Sequence, residues 1–314
     1  MTPRADVLII TVNAHETQAL QKVFKDANGH ESPPIPLGDR YYHDLGSING
    51  TKVFHAISEM GSATPGGALQ TVEKGIRALN PTAVLSVGMA FGINEKKQKI
   101  GDVLISQQLL LYDLQRMGTQ IILRGDKPHA STRLINFFDG FAQTSGKGNR
   151  ATKALILSGE KLIDNVDYRD QLLAFAPEAI GGEMEGAGLY VACQDCGVDW
   201  IVIKAISDWA DGQKARNKES RQKLAAMNAA QFVLQALQRA PLKKEQEPPR
   251  RPVSSQSDES NYVSRIAEKA VRLQRERAFI DPHPLSKDVS PNKLSSSASS
   301  TSRCSRHRQE FHTA

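Results

Sequence analysis

The segment that most limits the fold of this chain is residues 181–212, which reads GGEMEGAGLYVACQDCGVDWIVIKAISDWADG. It contains a turn with two glutamates, an apolar helical pattern, and a β-branched run that is typical of a buried parallel strand. Ligands of α/β sheets bind at the carboxyl ends of strands, and Asp208 follows this strand directly. Glu185 lies at the predicted helix N-terminus, where the helix dipole favours an anion. The segment therefore predicts an α/β fold with two acids beside one ligand site.

Two motifs in this segment, EMEGAGLY at 183–190 and KAISDWADG at 204–212, resemble the paired signature of the nucleoside phosphorylase and 5′-methylthioadenosine/S-adenosylhomocysteine nucleosidase superfamily. The resemblance extends from about Val7 to Gln238. It implies a single α/β domain over residues 1–240, with a central mixed β-sheet flanked by helices. It also implies a homo-oligomer and hydrolysis of the N-glycosidic bond of a purine nucleoside or nucleotide, which releases the free base.

Three acids carry the chemistry that this resemblance implies. Asp208 is expected to protonate N7 of the leaving purine. Glu185 is expected to accept hydrogen bonds from the ribose hydroxyls and to balance the positive charge of an oxocarbenium-like transition state. Glu16 follows the first apolar run, residues 7–12. Similar nucleosidases carry at the matching position the glutamate that activates water, so we assign Glu16 the general-base role.

The resemblance also indicates which residues contact the substrate. A glycine-containing loop after the apolar run at 83–87 is similar to the loop that passes under the ribose and the base, and the residues after Ser158 and Gly159 are expected to lie along the purine. Two positions depart from the family pattern, because Met89 replaces a small polar residue and Leu162 replaces an aromatic residue. The predicted substrate contacts are Met89, Ala90, Leu162, Ile163, Glu183, Met184 and Ser207.

Water is the expected nucleophile, and phosphorolysis is the enzymatic alternative. Phosphorylases of this superfamily usually have a Gly-Asp-Pro loop after the first strand and an arginine shortly before the glycine loop. This chain has TVNAHE at 11–16 and LSV at 85–87 in those places. The sequence therefore lacks the residues that hold phosphate in similar enzymes.

A nucleotide could also be the ligand of this chain. The polar, basic segment 106–150 resembles in part a mobile insertion that covers the pocket in this superfamily. Its Arg116 and Arg124 are candidates to bind a 5′-phosphate, since guanidinium groups recognise phosphate oxygens in bidentate geometry. AMP or ATP would then be the substrate, as in a defence or signalling system. A module that senses nucleotides without turnover is the alternative from a different class, which Met89 and Leu162 favour and the three acids oppose.

The positive charge of the chain is concentrated at its C-terminal end. Residues 241–314 contain 14 Lys and Arg against 9 Asp and Glu, which accounts for +5 of the total net charge of +6. The region preceding it is therefore near neutral, and nucleic-acid binding is not expected of it. Proline pairs and serine runs predict that this tail is largely disordered. A possible helix at 261–280 could bind an unknown partner.

The remaining composition limits cofactors and location. Cys193 and Cys196 form a CxxC inside an apolar helical pattern without a second pair, so neither a metal nor another cofactor is expected. No run of about 18 apolar residues occurs, so no membrane segment is expected. The sequence predicts a cytoplasmic protein that binds a small purine nucleoside or nucleotide.

The general-acid assignment predicts the effect of Asp208→Asn. General acid catalysis contributes about 10²-fold to 10⁴-fold, so this variant should lose at least about 100-fold in kcat for release of the purine base. Turnover can be followed by chromatographic detection of the free base. Near-normal turnover in the variant would contradict the assignment.

Overall fold

The computed structural model describes residues 3–144, 150–215 and 217–243. The tail therefore lies outside the described residues beyond position 243, as does its possible helix at 261–280. The strands are β1 (Val7–Thr11), β2 (Pro34–Leu37), β3 (Arg40–Ile48), β4 (Thr51–Ile57), β5 (Ala83–Gly92), β6 (Val103–Leu111), β7 (Gln115–Met117), β8 (Ile121–Leu123), β9 (Ala151–Ser158), β10 (Ala179–Glu183) and β11 (Asp199–Asp208). The helices are α1 (Ala14–Asn28), α2 (Ala68–Leu79), α3 (Thr132–Thr144), α4 (Val166–Phe175), α5 (Gly186–Cys196) and α6 (Lys218–Arg239).

The main sheet is mixed, which confirms the predicted fold class. Its strand order is β10-β9-β6-β11-β5-β1-β4-β3-β2, and β10 also pairs with β5. Strands β4, β1, β5 and β11 are mutually parallel, whereas β11 pairs with β6 in antiparallel fashion. Strands β7 and β8 form a separate hairpin. The strand that ends in Asp208 therefore lies between β5 and β6, near the middle of the sheet.

The pairing of β10 with β5 closes a circuit of five strands, β5, β11, β6, β9 and β10. The contact is antiparallel and joins Gly181 to Gly92 and Gly182 to Phe91. A Cβ atom at Gly182 would lie 2.2 Å from the Phe91 ring, so only glycine allows this approach. The close crossing brings the end of β10, where Glu183 lies, next to the end of β5.

Apolar side chains on the central strands form the core, and helices cover them. All five residues of β1 are buried, as are all but the first residue of β11. Helix α1 packs against α6 and α2 packs against α5, and each pair also contacts central strands. Burial on both faces explains why these strands are continuous apolar runs instead of alternating ones.

Two local predictions from the sequence are wrong. Thr64 as an N-cap and Pro65 at the first helical position predict a helix that starts there, but α2 begins at Ala68. The Thr64 hydroxyl donates to the Met60 carbonyl and the Thr64 carbonyl accepts from Gly67, so a tight turn precedes the helix. The prolines and glycines of segment 28–39 predict a loop, but the segment contains β2, whose prolines are tolerated because it is an edge strand.

The core extends to the last described residues. Leu242 is buried, and its N–H group donates to Thr51 Oγ1 at 2.9 Å. This residue lies two positions beyond the domain boundary expected from the sequence. Among the described residues, no helix combines the length and the apolar character needed to cross a bilayer.

The burial of Leu242 predicts a loss of stability in Leu242→Ala. Removal of a buried leucine side chain should lower the free energy of unfolding by about 2–5 kcal/mol, measured from the urea midpoint. Leu224→Ala is the matched control, because this leucine is 47% exposed and its removal should cost about 1 kcal/mol or less. Equal effects of the two variants would show that Leu242 does not belong to the core.

Candidate active site

One cavity contains every predicted catalytic residue and every predicted substrate contact. The space between its walls is about 620 Å³, which includes space open to solvent. Its walls come from the ends of β1, β5, β10 and β11 and from the loops that follow β4, β9 and β11. The predicted residues that line it are Glu16, Met89, Ala90, Leu162, Ile163, Glu183, Met184, Glu185, Ser207 and Asp208.

Glu16 is held in place by backbone amides on both of its carboxylate oxygens. The Val12 and Asn13 N–H groups donate to Oε2 at 2.8 and 3.3 Å, and the Met89 N–H group donates to Oε1 at 2.8 Å. Asn13 is the N-cap of α1 and accepts from the Glu16 N–H group, so the two residues form a capping box. The capping pattern of the first helix thus places an acid at the end of β1.

Gly88 allows β5 to approach this acid. A Cβ atom at Gly88 would lie 2.1 Å from Glu16 Oε1, which is far inside van der Waals contact. Any side chain there would displace the carboxylate or break its bond to the Met89 amide. The sequence predicts a loop after residues 83–87, but Gly88 belongs to β5, and its lack of a side chain leaves room for the Glu16 carboxylate.

Glu183 and Glu185 share the N-terminus of α5 but face different partners. The Glu183 carboxylate accepts from the Glu185 N–H group at 2.9 Å and from the Gly186 N–H group at 2.9 and 3.0 Å. It therefore caps the helix, where the dipole favours a negative charge. Glu185 is the N-cap residue, and its side chain makes no capping bond. Its carboxylate accepts instead from the Gly61 N–H group at 3.4 Å and from Lys204.

Lys204 is a completely buried cation in the middle of β11. Its Nζ donates to Glu185 Oε2 at 3.0 Å. Burial alone would lower the pKa of this lysine. The negative charges of Glu185, Glu16 and Glu183 have the opposite effect and together raise the pKa. The lysine is therefore charged, and its ion pair fixes the Glu185 carboxylate at the wall of the cavity.

Burial raises the pKa of the Glu16 carboxyl, and the charge of Glu185 raises it further against the opposing effect of Lys204. Burial also raises the pKa of Glu183, to about 7, with Glu185 as the second cause. A carboxylate with a raised pKa is a stronger base than one in water. This property suits the role predicted for Glu16.

Asp208 lies at the end of β11 and has three partners. Its Oδ2 accepts from the Ser207 hydroxyl at 2.8 Å and lies 3.5 Å from Lys214 Nζ, while its Oδ1 accepts from the Ala210 N–H group at 3.2 Å. Ser207 Oγ also lies 3.3 Å from the Ala90 carbonyl. The hydroxyl has one proton, so it can donate to an ionised Asp208, or donate to Ala90 and accept from a protonated one.

Hydrogen bonds join three loops at the mouth of the cavity. The Glu160 carboxylate accepts from the Ser62 N–H group at 3.0 Å and from the Ala63 N–H group at 3.3 Å. The Glu160 N–H group donates to Asp113 Oδ2 at 2.6 Å, and Lys161 forms an ion pair with the same aspartate. The loops that follow β4, β6 and β9 are therefore tied together beside the purine-binding residues predicted from the sequence.

The two arginines predicted to bind phosphate do not line the cavity. Arg116 lies on the exposed hairpin of β7 and β8, and Arg124 directly follows β8 and is also exposed. The cations that line the cavity, among the described residues, are Lys161 and Lys214.

Sequence reasoning missed Lys204 and Lys214. The signal for Lys204 was a single lysine inside the apolar run IVIKAIS, because a lone cation in a buried strand needs a buried anion. Lys214 had no comparable signal. Its position depends on a loop in which Ala210 adopts a left-handed conformation and the Gly212 N–H group donates to Asp164 at 3.0 Å.

No group of three or more His, Cys, Asp or Glu side chains in the described parts of the chain is arranged to hold a metal ion. Cys193 is buried and Cys196 is exposed, and both are free thiols. Burial raises the pKa of the Cys193 thiol well above its usual range. This cysteine is therefore a packing residue of α5 and not a reactive group.

The fold and the cavity define an α/β protein whose ligand site is built from buried carboxylates. The chain belongs to the phosphorylase superfamily, because the model of that family matches residues 6–238. This result confirms the resemblance that the two sequence motifs indicate.

Two relatives illustrate the range of similar proteins. A death domain-containing ATP nucleosidase of Amphimedon queenslandica is 28% identical over 193 residues, which cover 54% of this chain and 36% of that protein. The chain thus corresponds to about a third of that relative's length. A 5′-methylthioadenosine/S-adenosylhomocysteine nucleosidase of Haemophilus influenzae is 28% identical over 202 residues, which cover 62% of this chain and 84% of that protein.

Solved structures share the fold. A 5′-methylthioadenosine/S-adenosylhomocysteine nucleosidase from Neisseria meningitidis in complex with methylthio-immucillin-A aligns with a TM-score of 0.63 and 21% identity, over 74% of this chain and 99% of that one. The Helicobacter pylori nucleosidase aligns with a TM-score of 0.65 and 22% identity, over 76% and 100%. At this level of identity the likeness concerns the fold alone.

The buried position of Lys204 predicts a large effect of Lys204→Met. The variant leaves three buried carboxyl groups without their cation, so the free energy of unfolding at neutral pH should fall by about 3–5 kcal/mol. Protonation of Glu16 and Glu183, whose pKa values are raised, removes part of the uncompensated charge, so the loss should shrink as the pH falls from about 8 to about 5. Urea unfolding at several pH values measures both effects.

Lys153→Met is the matched control for this experiment. Lys153 pairs with Asp139 at 2.7 Å, but a third of its side chain is exposed to solvent. An exposed pair contributes about 0–1 kcal/mol, so the control should have a small effect with little dependence on pH. A loss in Lys204→Met that is equally small would contradict the inferred charge balance.

Proposed function

We propose that this protein hydrolyses the N-glycosidic bond of a purine nucleoside or nucleotide and releases the free base. The observation that carries the proposal is the meeting of Glu16, Glu185 and Asp208 around one cavity, although these residues lie on or at the ends of three different helices and strands. Membership of the phosphorylase superfamily and similarity to nucleosidases support the same reaction.

Each acid has a separate part in the proposed reaction. The bond from ribose C1′ to purine N9 breaks, and a water oxygen forms the new bond to C1′. Glu16 accepts a proton from this water, and Asp208 gives a proton to N7 of the departing purine. Glu185, fixed by Lys204, accepts hydrogen bonds from the ribose hydroxyls and stabilises the positive charge that develops on the sugar.

The surroundings of Glu16 favour water over phosphate as the nucleophile. A phosphate cradle needs free backbone amides or cations. Here the Val12, Asn13 and Met89 amides already donate to the Glu16 carboxylate. A phosphate ion at this place would meet a negative charge instead of a donor, so phosphorolysis is the weaker candidate.

Two alternatives differ in their support. One is a nucleotide substrate, and the other is a nucleotide-sensing role without turnover. Similarity to the sponge ATP nucleosidase supports a nucleotide substrate. A nucleotide-sensing module does not require a glutamate with a raised pKa beside a second buried acid, so the site favours an enzyme. The resemblance to nucleosidases also leads us to propose a homo-oligomer. The low cysteine content of the chain leads us to propose a cytoplasmic location.

Base release from a substrate panel tests the proposal. The panel contains adenosine, methylthioadenosine, S-adenosylhomocysteine, inosine, guanosine, AMP and ATP, each with and without inorganic phosphate. We expect base release that does not need phosphate and that falls at least about 100-fold in Glu16→Gln. Glu219→Gln is the matched control, because Glu219 is an exposed partner of Lys223 on α6 and should leave the rate unchanged.

The panel distinguishes hydrolysis from phosphorolysis and from binding without turnover. Release that requires phosphate would show phosphorolysis and contradict the role of Glu16. Saturable binding of a nucleotide without any base release would contradict an enzyme and support the sensing module.

A further inference from the structure

Lys214 lies beside the predicted general acid. It belongs to the loop between β11 and α6 and lines the cavity, and its side chain is 18% exposed. Its Nζ lies 3.5 Å from Asp208 Oδ2. None of the roles derived above for Glu16, Glu185 and Asp208 uses this lysine.

The ion pair opposes the reaction that Asp208 is expected to perform. Lys214 Nζ lies against Asp208 Oδ2, the Ser207 hydroxyl donates to the same oxygen, and the Ala210 amide donates to Oδ1, so both oxygens of the carboxyl group are occupied. A general acid must carry a proton before it can give one to N7. Ser207 can adapt to a protonated Asp208 by donating to the Ala90 carbonyl, but Lys214 has only donors and must move away.

The chemistry of a purine nucleotide places a suitable anion next to this lysine. In a β-nucleoside, the base and C5′ lie on the same face of the ribose. In the anti conformation, the C8–N7 edge of the purine lies above C5′. An acid that protonates N7 is therefore near the 5′ substituent, and a lysine beside that acid can reach a 5′-phosphate by rotation of its side chain.

The charge balance of the cavity also requires a mobile cation for such a substrate. Glu16, Glu183, Glu185 and Asp208 line the cavity, and the buried Lys204 pairs with Glu185. Lys161 also lines the cavity, but it forms an ion pair with Asp113 and lies over the Tyr112 ring. Within the described residues, the Lys214 ammonium group forms one ion pair, and its partner is Asp208.

We propose that Lys214 selects purine nucleosides that carry a 5′-phosphate. The phosphate takes over the ion pair of Lys214, and Asp208 then takes up a proton from solvent and passes it to N7. A neutral 5′ group leaves Lys214 on Asp208 Oδ2, where the ammonium group occupies an oxygen that has to face N7. This inference rests on the proposed N-glycosidic cleavage, and it makes recognition of the phosphate a condition for activation of the acid.

The test is the change of substrate preference in Lys214→Gln. Steady-state kcat/KM is measured for AMP and for adenosine with the full chain. A charge-assisted contact to phosphate contributes about 10-fold to 100-fold, so kcat/KM for AMP should fall by that factor. For adenosine it should stay constant or rise, because Asp208 is no longer paired with a cation.

Two further variants serve as controls. Lys214→Arg keeps the positive charge and should retain the preference for AMP. Lys223→Gln removes a lysine of α6 that is exposed and paired with Glu219 at 2.6 Å, and both substrates should be cleaved as in the wild type. Circular dichroism of all variants shows whether they are folded.

The outcomes separate this inference from the proposed function. An equal loss for AMP and adenosine in Lys214→Gln would overturn the selective role of Lys214 while the hydrolase function stands. Wild-type preference for adenosine over AMP would overturn it as well. Absence of base release from both substrates in the wild type would overturn the proposed function, and this inference with it.

Discussion

The buried charge of Lys204 is the interaction on which the candidate site depends. Three glutamates lie around one cavity, and carboxylates brought so close under a layer of apolar side chains would repel one another. The lysine offsets this repulsion from inside the sheet, where water cannot replace it. Its ion pair with Glu185 also fixes a carboxylate that makes no capping bond with its own helix. Lys204 of β11 therefore balances the charge of the glutamates and also fixes the position of Glu185.

The sequence predicted much of this arrangement, for reasons that are local. Continuous apolar runs indicated β1, β5 and β11, and the acids at their ends followed from the rule that ligands bind there. The capping box that holds Glu16 is also a local pattern. What the sequence did not reveal depends on contacts between distant segments, such as the pairing of β10 with β5 and the ion pair of Lys204 with Glu185. The position of Lys214 depends on a loop conformation that no periodicity encodes.

Each of three acids at the site accepts hydrogen bonds from its own set of backbone amides. Glu16 uses those at the end of β1 and β5, Glu183 uses the N-terminus of α5, and Glu160 uses the loop before α2. Each carboxylate occupies donors that could otherwise bind a free anion. The cavity therefore offers few fixed amides to phosphate, and recognition of an anionic substrate has to come from side chains that can move.

The position of β11 between β5 and β6 has a consequence for synthesis of the chain. These two strands are consecutive in sequence and pair on their other edges with β1 and β9, but the strand that pairs with their inner edges, residues 199–208, is made last. Until then both expose unpaired edges, which are prone to pairing with other chains. Insertion of the last strand completes the sheet and delivers Lys204 and Asp208 in the same step. A partly made chain thus exposes aggregation-prone edges while it lacks both the central cation and the acid.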